Sequence, residues 1–157
     1  MSRASRSLAV VGLALVVFTA PVQAGVEFHE VQDFNANFFV PCANEGAGEF
    51  VFVNGNVHFL VTSTINGNNL SGVFHGDYRG VGVGASTGDV YRFIATEGNR
   101  FKGSLDNDQF NQTTLIVLNL IGQGRGSNFR VHTQTQITIN ANGEVSVQFN
   151  IDRADCR

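Results

Sequence analysis

The last part of the chain alternates apolar and polar residues with a period of two, which indicates β-strands that bury one face. Between Phe129 and Ile139 every odd position is Phe, Val, Ile or Thr, and the even positions are Arg, His, Gln and Thr. The segment 144–151 repeats the pattern. Asn142-Gly143 lies between the two runs, and an Asn-Gly pair between alternating segments is the strongest local signal for an antiparallel hairpin. The chain must therefore adopt a fold that accommodates antiparallel strands.

The same organisation extends over most of the chain. From about Val26 to Asp155, short segments rich in Val, Ile, Phe and Thr are separated by Asn and Gly, with almost no helical periodicity. Turns are predicted at Asn54–Asn56, Asn66-Gly67 and Glu97–Asn99, among other places. The predicted strands lie near residues 36–40, 49–54, 57–65, 70–83, 90–96, 100–105, 113–121, 129–139 and 144–151. Eight or nine strands with short connections indicate a meander.

An antiparallel sheet of this size either closes on itself or splits into two packed layers. The segment Gly72–Gly84 has Gly at nearly every second position with Phe74 and Tyr78 between, as expected where a strand bends around a tight interior. The sequence therefore predicts an all-β fold, a single antiparallel up-and-down β-barrel of about eight or nine strands. A β-sandwich is the alternative.

The first 24 residues have the three parts of an export signal. Arg3 and Arg6 form a basic head, Leu8–Phe18 an apolar run, and Val22-Gln23-Ala24 a small-residue cleavage site. We therefore expect a signal peptide over residues 1–24 and a single domain over residues 25–157, secreted or periplasmic. The apolar run is too short to span a bilayer, so no membrane insertion is expected.

The chain has two cysteines, Cys42 and Cys156, and both lie after the predicted signal. In an exported protein two thiols most simply form a disulfide with each other. The alternative, a metal or redox pair, usually requires closely spaced cysteines or nearby histidines. We therefore predict a bond that holds the region near the start of the domain against its last residues.

Charge and histidine spacing argue against several kinds of partner. The chain has thirteen acidic against ten basic residues, and the predicted signal contains two of the basic ones, so nucleic acid is not expected as a partner. The four histidines form no H-x-H or H-x-x-x-H pair, and no metal site or other cofactor is predicted. These histidines are His29, His58, His75 and His132.

The spacing of cysteines, glycines and turn residues resembles an uncharacterised family of small exported bacterial all-β proteins, over nearly the whole predicted domain. The residues that carry the resemblance are Cys42, Gly48-Glu49, Gly55, His58, Gly80, Gly82, Gly84, Thr87-Gly88, Tyr91, Ile121–Gly124, Asn128-Phe129, Val131-His132, Asn140–Val145 and Cys156. The resemblance implies an exported all-β protein and no particular activity. At the level of the fold the pattern is also similar to lipocalin, avidin and dirigent-like or allene oxide cyclase barrels.

Together these features predict a non-enzymatic exported barrel that binds a small apolar ligand or a partner, because aromatic residues fill the expected interior and no catalytic constellation is evident. A barrel-type cyclase or isomerase and a structural cell-surface protein without a pocket are the alternatives. The oligomeric state is left open. The candidate ligand-binding residues, which would line the pocket or its mouth, are His58, Phe74, Tyr78, Tyr91 and Arg92.

Overall fold

The computed structural model describes the backbone of residues 25–157 and, apart from residue 26 and residues 147–151, their side chains. The predicted signal peptide, residues 1–24, lies outside the described residues. No helix in the described region is long and apolar enough to cross a membrane.

The described chain folds into one antiparallel sheet of seven strands, each hydrogen-bonded to the next strand in sequence. The strands are β1 (Val26–Val40), β2 (Glu49–Asn66), β3 (Asn69–Gly84), β4 (Val90–Ser104), β5 (Phe110–Gly122), β6 (Phe129–Ile139) and β7 (Val145–Cys156). One short 3-10 turn, Asn44–Gly46, follows β1. The predicted all-β, up-and-down antiparallel organisation is confirmed.

The structure has seven strands rather than eight or nine because two of the predicted turns are wrong. Asn54–Asn56 lies within β2 and Glu97–Asn99 within β4, and both segments remain paired with neighbouring strands. The Asn-Gly pairs at Asn66-Gly67 and Asn142-Gly143 do separate strands as predicted, and each Gly has a positive φ angle. Glycine therefore occurs both within strands, as Gly55 and Gly98, and in turns, as Gly67 and Gly143. Of these four, only the two turn glycines have a positive φ angle.

Gly55 and Gly80 explain why the first of those segments is a strand. They lie directly opposite each other on β2 and β3. A Cβ atom on Gly80 would lie 2.5 Å from the carbonyl oxygen of Asn54 and 3.2 Å from the Cα of Gly55. The two backbones approach so closely that neither position has space for a side chain, which is a recognised role of glycine within sheets.

We expect Gly80→Ala to destabilise the fold by about 2 kcal/mol, because the added methyl group overlaps the backbone of β2. Gly98→Ala is the matched control, since nothing lies within 4 Å of a Cβ built on Gly98; it should change stability by no more than about 0.5 kcal/mol. Urea unfolding of both variants measures the difference. Equal losses at the two positions would contradict the proposed close approach.

The sheet curls around one of its faces, which we call the inner face. Adjacent strands lie about 4.8 Å apart, so β1 and β4 in a flat sheet would be separated by about 14 Å. Phe34 and Phe38 of β1 nevertheless contact Phe93 of β4, with ring centroids 5.5 and 5.3 Å apart. The inner face is most tightly packed near the disulfide, where its fully buried residues include Val40, Val51, Val53, Tyr91 and Leu120.

The Cys42–Cys156 disulfide is present as predicted and closes one end of the curled sheet. Its Cα atoms are 6.0 Å apart and its cysteines are separated by 114 positions in the sequence. Next to it, the backbones of Asn128 and Arg157 exchange two N–H to carbonyl hydrogen bonds of 2.8 and 2.9 Å. We call this the disulfide end; the turns at residues 67–68, 105–109 and 140–144 form the opposite end.

The edge strands β1 and β7 are each hydrogen-bonded to one neighbouring strand, whereas each strand between them is bonded to two. In the described region the strand order runs from β1 to β7, and no ladder joins β7 back to β1. The sheet is thus curled and pinned at the disulfide end but is not closed by hydrogen bonds. The disulfide itself is of the kind that persists in oxidising, extracytoplasmic compartments.

Candidate functional site

An aromatic group lies on the inner face beyond the packed core. It consists of Phe34, Phe59, Phe74 and Tyr78, and all four side chains are only partly buried. Phe59 contacts Phe74 and Tyr78, with ring centroids 5.4 and 6.3 Å apart, and Phe34 meets Tyr78 edge-on at 5.5 Å. We call these four residues the aromatic group. Its partly accessible rings provide an apolar surface between the core and the opposite end.

Gly76 makes room for two members of this group. It is buried between Phe74 and Tyr78 on β3, and a Cβ atom on it would lie 3.0 Å from the Tyr78 ring and 3.4 Å from the Phe74 ring. Alternate residues of a strand share one face, so the two rings flank the small residue between them. A side chain at this position would push the rings apart.

Tyr78 anchors the polar part of the site. Its hydroxyl donates a 2.8 Å hydrogen bond to Oε2 of Glu97 on the neighbouring strand. Burial, followed by the hydrogen bond to Glu97 and the charge of Glu97, raises the pKa of Tyr78 above its ordinary value. Tyr78 is therefore protonated at physiological pH and holds the Glu97 carboxylate in a fixed place.

Asn99 adds a hydrogen-bond acceptor beside this pair. It follows Glu97 by two residues on β4, so both side chains are on the same face, and it lies opposite Phe74 on β3. Its Oδ1 atom is buried and has no hydrogen-bond partner within the described part of the chain. Because an unpaired buried acceptor costs about 1–3 kcal/mol, this atom favours a bound donor.

The candidate ligand-binding residues are not all in one place. Phe74 and Tyr78 are in the aromatic group, whereas His58 and Arg92 are exposed on the other, outer face of the sheet. Tyr91 is on the inner face but is fully buried at the disulfide end. The structure thus brings two of the five residues together.

Tyr91 helps to seal the disulfide end. A Cβ atom on Gly126 would lie 3.1–3.2 Å from the Tyr91 ring and hydroxyl, so the loop 123–128 covers the ring closely. Burial, followed by the nearby charges of Glu49 and Asp89, raises the pKa of Tyr91. Tyr91 is therefore enclosed at the disulfide end and is not a member of the aromatic group.

Three of the four histidines lie near one another on the outer face, which their sequence spacing does not reveal. His29 and His58 have ring centroids 6.5 Å apart, and Nε2 of His75 is 3.4 Å from Oδ2 of Asp77. Together with Asp77 and Arg79, these three histidines line a groove of about 400 Å³. No set of three or more His, Cys, Asp or Glu side chains in the described region is arranged to hold a metal ion.

Sequence reasoning missed Glu97 and Asn99 because it assigned both to a turn. The sequence did contain a signal, because the residues at every second position from Tyr91 onward share one face of a strand. This face continues through Phe93 and Ala95 to Glu97, Asn99 and Phe101. An Asn and a Gly in the middle of a strand obscured it, since both residues are more common in turns.

Comparisons of this chain with protein-family models, curated proteins and solved structures find no match.

Proposed function

We propose that the protein is an exported, non-enzymatic binding protein whose inner face holds a small, largely apolar ligand that carries a hydrogen-bond donor. The buried, unpaired Oδ1 of Asn99 beside the aromatic group is the observation that carries the proposal. Binding sites for small molecules commonly combine an apolar lining with a few fixed polar groups. The curled sheet, with its seam between β1 and β7, would act as a lipocalin-like barrel.

The aromatic group and the polar pair have separate roles in this proposal. Phe59, Phe74 and the ring of Tyr78 contact the apolar body of the ligand, and Asn99 Oδ1 accepts a hydrogen bond from it. The Glu97 carboxylate, held by the Tyr78 hydroxyl at 2.8 Å, can accept a second one. An amine or hydroxyl on an aromatic or aliphatic skeleton satisfies both requirements.

A barrel-type cyclase or isomerase is the second candidate function, and the Tyr78–Glu97 pair is the observation that bears on it. General acid and base catalysis is most effective when the pKa of the group lies near the working pH. The environment of Tyr78 moves its pKa upward, away from that range. The pair is therefore better suited to fixed hydrogen bonding than to proton transfer, and we prefer binding.

The export part of the proposal rests on the disulfide and on the N-terminal pattern of the sequence. The Cys42–Cys156 bond is a disulfide, and disulfides persist most readily in oxidising compartments. N-terminal sequencing of protein recovered from an exporting host should begin at Gly25.

N-phenyl-1-naphthylamine is a suitable probe, because it is apolar and aromatic and has one N–H donor. We expect its fluorescence to rise on binding and Asn99→Ala to weaken its affinity about tenfold, the loss expected for one hydrogen bond. Phe74→Leu should weaken binding by less, since it keeps an apolar side chain. Titration of the purified chain with the probe measures both effects.

Asn54→Ala is the matched control, because Asn54 is an exposed asparagine on the outer face of β2. It should bind the probe like the original chain. Failure of the original chain to bind the probe, together with mass spectra of natively extracted protein that contain no small molecule, would contradict the proposal. Equal affinities of the Asn99 and Asn54 variants would place any binding elsewhere.

A further inference from the structure

Six apolar side chains form a continuous exposed surface on the outer face at the disulfide end. Each is 42–55% exposed, although three of them are phenylalanines. We call this surface the outer apolar patch. Its members are Phe39, Phe50, Phe52, Val81, Val83 and Val90.

Strand register makes the patch continuous across four strands. Phe39 of β1 lies opposite Phe50 of β2, and their rings meet edge-on with centroids 5.4 Å apart. Phe52 lies opposite Val83 of β3, which in turn lies opposite Val90 of β4. Directly paired residues on one face have Cβ atoms about 5 Å apart, so these side chains contact their neighbours.

The residues that border the patch are polar. Asn37 and Asn54 lie next to it on β1 and β2, and both are exposed. Arg92 and Arg79 lie beyond it on β4 and β3, and both are exposed. An apolar, uncharged centre with a polar border is the usual composition of a protein interface.

We propose that the outer apolar patch joins two copies of this chain in a face-to-face dimer. Six half-exposed Phe and Val side chains offer about 500 Å² of apolar surface. A stable interface takes about 800 Å² from each partner, of which roughly 60% is apolar, so the patch supplies the apolar area that one subunit needs. A contiguous apolar patch of several hundred Å² on a protein surface often marks a site of interaction.

The shape of the patch also favours a second copy. Sheets pack face to face about 10 Å apart with their side chains interdigitated, and a patch on one sheet face meets itself across a twofold axis. A membrane surface is the less suitable occupant, because a curled sheet presents only a narrow strip of its outer face to a plane. The acidic excess of the chain also disfavours anionic lipids.

Sedimentation equilibrium of the full chain, expressed with its own N-terminus, tests the proposal. We expect a mass twice that of one chain. The double variant Phe52→Thr/Val83→Thr keeps strand propensity and should raise the dimer Kd about 100-fold or more, since each loss occurs in both copies. Val73→Thr/Leu115→Thr is the matched control: both residues are exposed outside the patch, and the dimer should persist.

Asn54→Arg provides a second variant that leaves the apolar residues intact. It places a charge at the border of the patch and should weaken the dimer more at low than at high salt. Circular dichroism confirms that each variant is folded. A single-chain mass for the original protein at concentrations up to about 100 µM would overturn the proposal. So would an unchanged dimer in both patch variants, or a monomer that floats with phosphatidylcholine vesicles.

Discussion

Replacement of both cysteines, as Cys42→Ala/Cys156→Ala, should lower the free energy of unfolding by about 4 kcal/mol. The disulfide closes a loop of 114 positions, and the loop-entropy model assigns about 4–5 kcal/mol to closures of this length. A single domain is stabilised by only about 5–15 kcal/mol in total. Urea unfolding of the original and double-variant chains at the same pH measures the loss, which should appear as a lower midpoint with a similar slope.

Two controls separate the covalent bond from side-chain packing. Dithiothreitol should destabilise the original chain to about the level of the double variant and should leave the double variant unchanged. Amide hydrogen exchange should quicken first at Asn128 and Arg157, whose paired backbones lie beside the bond. If the free energy of unfolding fell by less than about 1 kcal/mol, the disulfide would not be the main interaction that holds the end of β7 next to the end of β1.

The fold class could be predicted from local pattern because each strand alternates within itself. The run from Phe129 to Ile139 is a strand with the predicted bounds. Strand boundaries at glycine were less predictable, because Gly55 and Gly98 give the same local signal as a turn glycine. Gly55 differs from a turn glycine because the backbone of Gly80 on β3 lies directly opposite it, and Gly80 is 25 positions away in the sequence. No local pattern contains that information.

Local pattern also predicts part of the division between the inner and outer faces. Alternation identifies which residues share a face, but it does not say which face is covered. The sequence-based interpretation placed phenylalanines inside, and Phe93 and Phe129 are indeed buried. Phe39, Phe50 and Phe52 are equally apolar but face outward, since their strands carry apolar residues on both faces near the disulfide end. A strand that is apolar on both faces normally has a layer on each side, which is consistent with the proposed dimer.

Glu49 is the one buried charged residue in the described part of the core, and Glu49→Gln should destabilise the protein by about 2–3 kcal/mol at neutral pH. Its side chain is 3% exposed and accepts three hydrogen bonds. Oε2 receives the backbone N–H groups of Ser86 and Thr87, both at 3.0 Å, and Oε1 receives the Thr87 hydroxyl at 2.8 Å. A neutral amide accepts weaker bonds than a carboxylate and turns an N–H donor toward one of these donors.

The effect of this substitution should depend on pH with a definite sign. Burial by itself would raise the pKa of Glu49, but the Thr87 hydroxyl and the two backbone N–H groups outweigh it, so its pKa lies below the ordinary value of 4.5. A group whose pKa is lower in the folded than in the unfolded state stabilises the fold above its unfolded pKa. That stabilisation is lost as the pH falls through the folded value. The difference between the original chain and Glu49→Gln should therefore be largest above about pH 5 and shrink below about pH 4.5.

Comparison of two further variants shows whether the hydrogen bonds are responsible. Thr87→Val removes the hydroxyl donor and should cost about 1–2 kcal/mol. Glu45→Gln changes an exposed carboxylate in the neighbouring turn and should have almost no effect. Urea unfolding of the four chains between pH 3 and pH 8 gives the required curves. A constant difference between the original chain and Glu49→Gln across this range would show that Glu49 stabilises the disulfide end through its shape rather than its charge, because only the charged carboxylate is lost as the pH falls.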